Sequence, residues 1–379
     1  MKKLVAVTLL AIITSCGGNK SENAKVENIL ADLSYSVDTV VVDAGDEFFN
    51  LSRGIRSFAL TEDKKRLFYF ENRPPKLVEI DLDNLKLVSK TDFDEEGPDG
   101  IGNFIAQIAV GSQDQVFALG MGGMGLFDKN GKKLEDLKVN PKDLNSNLTG
   151  DFISFFVNSI YDFSERQFYS WPISETSEGN ALYKVDVESE SAEVFELPEF
   201  EIAETYSLQV QEGNNYMYFP QQVLLMQHDG QVYISCSATS GIYKLDKASN
   251  QLEFIEINHH LVSNKLTGAV NNNLSSEKEF RDELRKIQAQ ISYMNLTWDP
   301  TRNMFLRLGS RTFLGENRED PSTIEMYLFA YDQDLKLLGE TKIEGLTKLL
   351  SQYFFKDGKL WAITNVEDEL GFAVYTFDF

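Results

Sequence analysis

The chain of 379 residues is 42% apolar and 12% aromatic, enough to fill one large core or two ordinary ones. Its 36 Lys and Arg against 59 Asp and Glu leave a net charge of -23, which repels phosphate backbones and anionic lipid surfaces, so nucleic acid is not an expected partner. Two cysteines in unlike surroundings, Cys16 and Cys236, exclude a disulfide framework as the source of stability.

The chain opens with Lys2 and Lys3, an apolar run from Leu4 to Ile13 too short to span a bilayer as a mature helix, and small residues before Cys16. This order marks residues 1–15 as a signal peptide. The stretch "AIITSCGG" resembles the lipobox of bacterial lipoproteins, with Ile13 where leucine or valine is usual. That resemblance implies a diacylated Cys16 at the mature N-terminus, anchoring the protein to a membrane through lipid. Gly17 stands where the aspartate of inner-membrane retention would, which implies the outer membrane in a Gram-negative source. Residues 16–35, small and polar, read as a flexible tether, leaving 36–379 for the folded domain.

From there one pattern recurs six times. A polar turn leads into a strand with a central aromatic: "RLFYF" at Phe68, "QVFAL" at Phe117, "RQFYS" at Phe168, "QVYIS" at Tyr233, "NMFLR" at Phe305 and "KLWAI" at Trp361. An apolar strand precedes each, closed by turn residues such as "MQHDG", "WDPTR" and "FFKDG". A third strand follows, ending in Asp81, Asp128, Asp186, Asp246, Asp332 or Asp378, whose carboxylates are placed to bond the backbone of the next turn. Five copies carry a fourth strand: "LKLVSK", "KLEDLKV", "AEVFEL", "LEFIEI" and "LKLLGE". Four antiparallel strands in six copies predict an all-β, six-bladed β-propeller, with a two-domain sandwich as the alternative. The sixth copy ends at "GFAVYTFDF" without its fourth strand. The β-branched run "DTVVVDAG", Asp38 to Gly45, is predicted to close the ring by pairing outside that final strand.

The pattern also sorts the loops. Turns between first and second and between third and fourth strands share one face and are short. Connections between second and third strands and between blades share the other face and carry the long insertions, including Pro198 to Phe219 and Asn258 to Ala289. Within the latter, Ser276 and Glu279 fit a capping box, and Phe280, Leu284, Ile287 and Ile291 recur at helical spacing, predicting one amphipathic helix as a lid, a brace or a partner-binding element. Where the innermost strands begin on that face stand Ser57, Gln107, Asn158, Gln222, Asn295 and Gln352. Five of the six are carboxamides, which donate and accept without charge. A ring of them at the channel mouth suits a neutral polar ligand, or the residues satisfy one another and channel water.

Catalytic signatures are sparse. His259 and His260 are adjacent in a loop, a poor geometry for one zinc ion; His228 sits in a short turn as a solvated side chain; Cys236 in its strand reads as a small buried residue. "GMGGMG" joins two strands with no helix to follow, unlike a phosphate loop. "DFDEEGPDGIGN" offers Asp92, Asp94 and Glu96 to calcium but has Asn103 where the bidentate glutamate belongs, so no metal or other cofactor is expected, calcium being the one candidate.

The lipobox, the stretch "EEGPDGIGNF" and the six aromatic repeats together resemble the Bacteroidota lipoproteins of the domain-of-unknown-function 4221 family. The resemblance implies an uncharacterised cell-envelope lipoprotein and names no reaction. The expectation is a binding module that presents its long-loop face to a glycan, peptide or envelope protein, with the mouth residues joined by Arg73, Trp171, Arg311 and Arg318. The alternatives are a propeller enzyme of lyase, lactonase or glycosidase type, and a scaffold for a membrane protein complex.

Overall fold

A computed structural model describes residues 28–121, 123–137, 139, 152–154, 159–171, 173–174 and 180–379. Six four-stranded antiparallel sheets are arranged as the blades of a propeller. The first five are continuous in sequence: Phe58–Leu60 to Lys86–Asp92, Ile105–Val110 to Lys133–Asp136, Ser159–Asp162 to Ser191–Glu196, Val223–His228 to Leu252–Ile255, and Ser292–Asp299 to Leu337–Lys342. The sixth joins Tyr353–Lys356, Lys359–Val366 and Glu369–Asp378 to Ser34–Val41 from the other end of the chain.

Turn chemistry explains why the strands reverse where they do. In every blade the turn from first to second strand holds one non-glycine residue in the left-handed region: Lys64, Asp114, Arg166, Asp229, Asn303 and Asp357. After the third strand, Asp81, Asp128, Asp186, Asp246 and Asp332 each accept a hydrogen bond from a backbone N–H two to four residues on. The repeat aromatics then fill the spaces between blades. Phe117 stacks on Tyr161 across blades two and three at 4.7 Å and 3°, and Tyr233 packs on Phe305 across blades four and five at 5.0 Å. Each such side chain contributes about 1.5–3 kcal/mol by burial.

The closing strand pairs antiparallel with the last one from Ser34↔Asp378 to Val40↔Phe372 and Val41↔Gly371. It begins four residues ahead of the predicted Asp38, because Ser34 and Tyr35 also find partners in Asp378 and Phe377. The expected tether is shorter at its domain end for a related reason. Asn28 brackets Glu340 of blade five, donating to its carbonyl and accepting from its N–H, Ile29 N donates to Leu338 O, and Leu30 is fully buried between blades five and six. Among the described residues, contact with the blades is already made at Asn28, within the stretch expected as tether.

The insertions are more structured than their sequence suggests. The connection between blades three and four forms helical turns, Pro198–Phe200 and Ile202–Thr205, then a hairpin of Leu208–Glu212 with Asn215–Phe219, turned at Gly213 with φ of 60°. A two-stranded ribbon of Phe152–Ser154 and Ile173–Ser174 serves blade three. The predicted helix is Glu277–Gln288, with the Ser276 hydroxyl accepting from Glu279 N at its start and Phe280 and Ile287 buried beneath it.

Candidate functional site: a lidded central cavity

The innermost strands leave a cavity of about 740 Å³ around the propeller axis, within the range of small-molecule pockets. Five of the six residues expected at the channel mouth line it: Ser57, Gln107, Gln222, Asn295 and Gln352. Asn158 lies outside the described residues. Two of the five are placed by irregularities of the inner strands. The pairing of blade two slips between Ile105 and Gln107, and that of blade five between Tyr293 and Leu296, so each strand carries an extra residue beside the channel. Gln352 donates to Arg56 O at 3.0 Å, and Asn295 Nδ2 makes a long contact of 3.5 Å to Leu225 O. The ring therefore does not close on itself through these two bonds: each reaches a backbone carbonyl of a neighbouring blade.

The cavity holds a second set of polar groups. Ser159 Oγ of blade three, Gln227 Nε2 of blade four, Asn295 Oδ1 of blade five and Gln288 Oε1 of the helix belong to lining residues, are all buried, and have no hydrogen-bond partner among the described residues. Leaving such an atom dry costs about 1–3 kcal/mol, so each marks a place for water or ligand. Among the described lining residues Arg56 alone is charged, and its guanidinium lies over the Phe104 ring at 5.3 Å. A cavity without a lining carboxylate, in a chain of net charge -23, offers hydrogen bonds and apolar surface rather than a field. Sequence reading found Asn295 but missed the other three. A polar residue set in an apolar inner strand, as at Ser159 and Gln227, was the available signal. Gln288 shows no such signal, because only tertiary packing turns that part of the helix inward.

The helix and the 208–219 hairpin wall the cavity on the long-loop side. Ile287 and Gln288 line it from the helix, and Phe219, Gln221 and Gln222 from the hairpin and the residues after it. The second-to-third strand loop of blade five clasps the helix. Arg311 Nε donates to Ala289 O at its end while its guanidinium stacks over Phe313, Arg285 donates to the carbonyls of Gly315 and Glu316, and Arg318 reaches Glu277 at 4.0 Å. Arg311 is thus occupied in bracing the helix, while Arg318 stays largely exposed. Trp171 is half-buried against the core between blades three and four, and Arg73 is exposed in the second-to-third strand turn of blade one.

Exposed apolar side chains are unevenly distributed. Of the eleven large ones among the described residues, Val37, Val41, Val88 and Leu134 sit on outermost strands. Six of the remaining seven, Phe48, Met121, Tyr216, Tyr218, Leu261 and Leu349, belong to second-to-third strand or blade-to-blade connections, and Phe313 ends the second strand of blade five where it enters such a connection. The short turns hold none of them.

The histidines depart from expectation. His228 is not simply solvated: it stacks on Trp298 at 4.3 Å and meets Phe305 edge-on, and burial lowers its pKa. His259 is buried with its Nδ1 3.1 Å from Glu340 Oε2 and its Nε2 3.2 Å from Tyr331 OH. A carboxylate only accepts, so Nδ1 carries the proton and Nε2 accepts from the tyrosine. Cys236 is buried, as expected, and burial pushes its thiol up to about 11. Of the calcium candidates, Asp92 pairs with Lys76 at 2.7 Å, and among the described residues no group of three or more His, Cys, Asp or Glu is set to hold a metal. Cys16 lies outside the described residues.

A ring of six sheets, sealed by the N-terminal strand around a central cavity, defines a six-bladed β-propeller. Over residues 31–342 the sequence matches the model of a domain of unknown function, DUF4221, and the chain belongs to that family. A DUF4221 member from Bacteroides vulgatus shares the fold at a TM-score of 0.62 and 12% identity, covering 91% of this chain and 98% of its own. A Bacteroides fragilis structure titled "Putative exported protein" aligns at a TM-score of 0.51 and 11% identity, covering 91% and 95%. At these identities the likeness speaks for the fold alone. No curated protein matches the sequence. Among the described residues no helix is long and apolar enough to cross a membrane.

Proposed function

We propose that this protein is an envelope lipoprotein, anchored by acyl chains on Cys16, whose propeller captures a neutral polar ligand in the cavity at its long-loop end. The observation that carries the reading is the set of four buried polar atoms, unpartnered among the described residues, on the lining of one cavity whose only charged described residue is Arg56. The pair of exposed tyrosines at that same end, Tyr216 and Tyr218, whose rings lie 6.3 Å apart, supports it as apolar surface open to a partner. Leader and lipobox support the anchor, and Gly17 supports the outer membrane as its address. The eleven residues between Cys16 and Asn28 would span roughly 40 Å if extended, enough to hold the domain clear of the headgroups.

The test combines localisation with ligand screening. The wild-type protein should fractionate with outer membranes and Cys16→Ser should be released from them; membrane retention of the serine variant removes the anchor. Thermal shifts against neutral glycan and capped-peptide panels should appear for the wild type and disappear in Gln107→Ala plus Asn295→Ala. Turnover of a ligand would favour an enzyme, and silence across all panels a scaffold.

A further inference from the structure

The unpartnered atoms also specify what kind of ligand fits. Gln288 Oε1 and Asn295 Oδ1 need donors, Gln227 Nε2 needs an acceptor, and the Ser159 hydroxyl serves as either. They belong to three blades and a helix, so they face the cavity from several directions. An extended peptide presents its amides along two edges of a strand and is matched by a row of backbone groups. A compact ring that carries hydroxyls around its rim and apolar C–H faces is matched by scattered single donors and acceptors set among apolar walls. The lining supplies those walls in Phe58, Phe117, Leu225 and Ile287. With no described carboxylate on the lining, neither a cation nor an amine is matched; the one charged described lining residue, Arg56, is held over the Phe104 ring, and the charge of the whole chain disfavours anions.

The wall itself continues this chemistry outward. In the 208–219 hairpin the side chains alternate: Leu208, Val210, Met217 and Phe219 pack on the core, while Gln209, Gln211, Tyr216 and Tyr218 face out. Cross-strand pairing sets Gln209 beside Tyr218 and Gln211 beside Tyr216. The two tyrosine rings, 60% and 56% exposed, lie 6.3 Å apart with planes within 20°. Aromatic side chains flanked by carboxamides, with no charge among the four, form a surface on which sugar rings stack and hydroxyls find partners. This face sits on the strand that runs directly into Phe219, Gln221 and Gln222 of the cavity wall.

Building on the binding reading above, we infer that the ligand is an uncharged oligosaccharide: one sugar unit is held in the cavity, and the units beyond it run over Tyr216 and Tyr218. Isothermal titration of the full-length protein, in a detergent without a sugar headgroup, is the test. The probes are neutral mono- and oligosaccharides of the gluco, manno, galacto and N-acetylglucosamine series, uronic-acid oligosaccharides, and capped neutral peptides. At least one neutral saccharide series should bind, about tenfold more weakly in Asn295→Ala and, independently, in Gln227→Ala, the loss expected for one hydrogen bond to a buried group. Tyr216→Ala plus Tyr218→Ala should weaken the oligosaccharide and leave the monosaccharide unchanged. That length dependence separates a lost subsite from a damaged fold, and the two exposed tyrosines can be removed without opening the core.

Binding of capped peptides but not saccharides, lost in the cavity variants, overturns the sugar inference and keeps the binding module. Preference for uronic acids overturns it as well. Saccharide binding that both cavity variants leave intact overturns the cavity as the site. No binding by any class removes the inference together with the function proposed above, leaving water as the occupant of the cavity.

Discussion

Arg307 offers the sharpest test of how the ring is held. Its side chain is 1% exposed and wedged between blades four and five. Nε donates to Met294 O at 2.7 Å, Nη1 to Ser240 O at 2.8 Å, and Nη2 to Cys236 O at 3.1 Å and Thr239 O at 3.5 Å, with the guanidinium 4.7 Å from the Tyr293 ring centre. Among the described residues no carboxylate forms a salt bridge with it. The acceptors exist because the second and third strands of blade four slip in register at Ser235 and Cys236, which turns carbonyls away from the ladder. Arg307→Met retains volume but leaves three close carbonyls unpaired, at about 1–3 kcal/mol each. The variant no longer has to desolvate a cation, which offsets part of this, and the net loss should be about 3–5 kcal/mol. Against a total stability of about 5–15 kcal/mol, that lowers the urea midpoint and the Tm substantially. Lys278→Met, which breaks an exposed pair with Asp282, is the control and should change stability by less than about 1 kcal/mol. If Arg307→Met unfolds within about 1 kcal/mol of the wild type, the carbonyl clamp does not hold the two blades together.

Stability should also fall on acidification through His259 and Glu340. Burial lowers the His259 pKa against the opposing pull of Glu340; the desolvation of Glu340 is outweighed by its bonds from His259 and from the N–H groups of His260 and Leu261, so its pKa is lowered too. Both groups therefore bind protons more readily in the unfolded chain, and stability present near neutrality is lost below the ordinary value of 6.5 for the first and 4.5 for the second. Melting curves between pH 7.5 and 5 should show this slope, and His259→Gln should flatten it; an equal slope in the variant refutes the assignment. Val40→Pro, which inserts a proline opposite Phe372 in the closing strand, should cost several kcal/mol and expose an edge, read as a lowered Tm with aggregation; a wild-type Tm would show that closure is dispensable. Ser276→Ala removes the bond to Glu279 N and should destabilise by about 1 kcal/mol in urea titration, whereas no change would mean the helix start is held by its neighbours alone.

The blades were legible because each obeys local rules. Hairpin turns need residues that tolerate left-handed backbone, third strands end on an aspartate, and buried second strands carry an aromatic, so the period shows without knowledge of contacts. Closure was legible from an arithmetic mismatch between a strand lacking a repeat and a repeat lacking a strand. What escaped notice depends on distant partners. Ile29, Leu30 and Leu33 end a polar segment and carry no strand or helix period of their own, and only blades five and six make Leu30 core. His259 looks like a loop residue until Glu340, eighty-one positions away, is beside it. The carboxamides could be aligned from the repeat, but their freedom from one another could not, because strand slips at Gln107 and Asn295 decide where each amide points. The capping box was right in kind and shifted in detail: the Glu279 carboxylate returns to Ser275 N rather than Ser276 N.

The seam between Ser34–Val41 and Glu369–Asp378 has a mechanical meaning if the chain is tethered at Cys16. Any pull between the bilayer and a cargo held by the propeller enters at Asn28, crosses its bracket on Glu340, and then loads the paired strands lengthwise. Antiparallel partners drawn along their axes share tension over the whole row of bonds, where a ribbon opened from its end would give way one bond at a time. The stitch that completes the circle is thus also placed to carry weight.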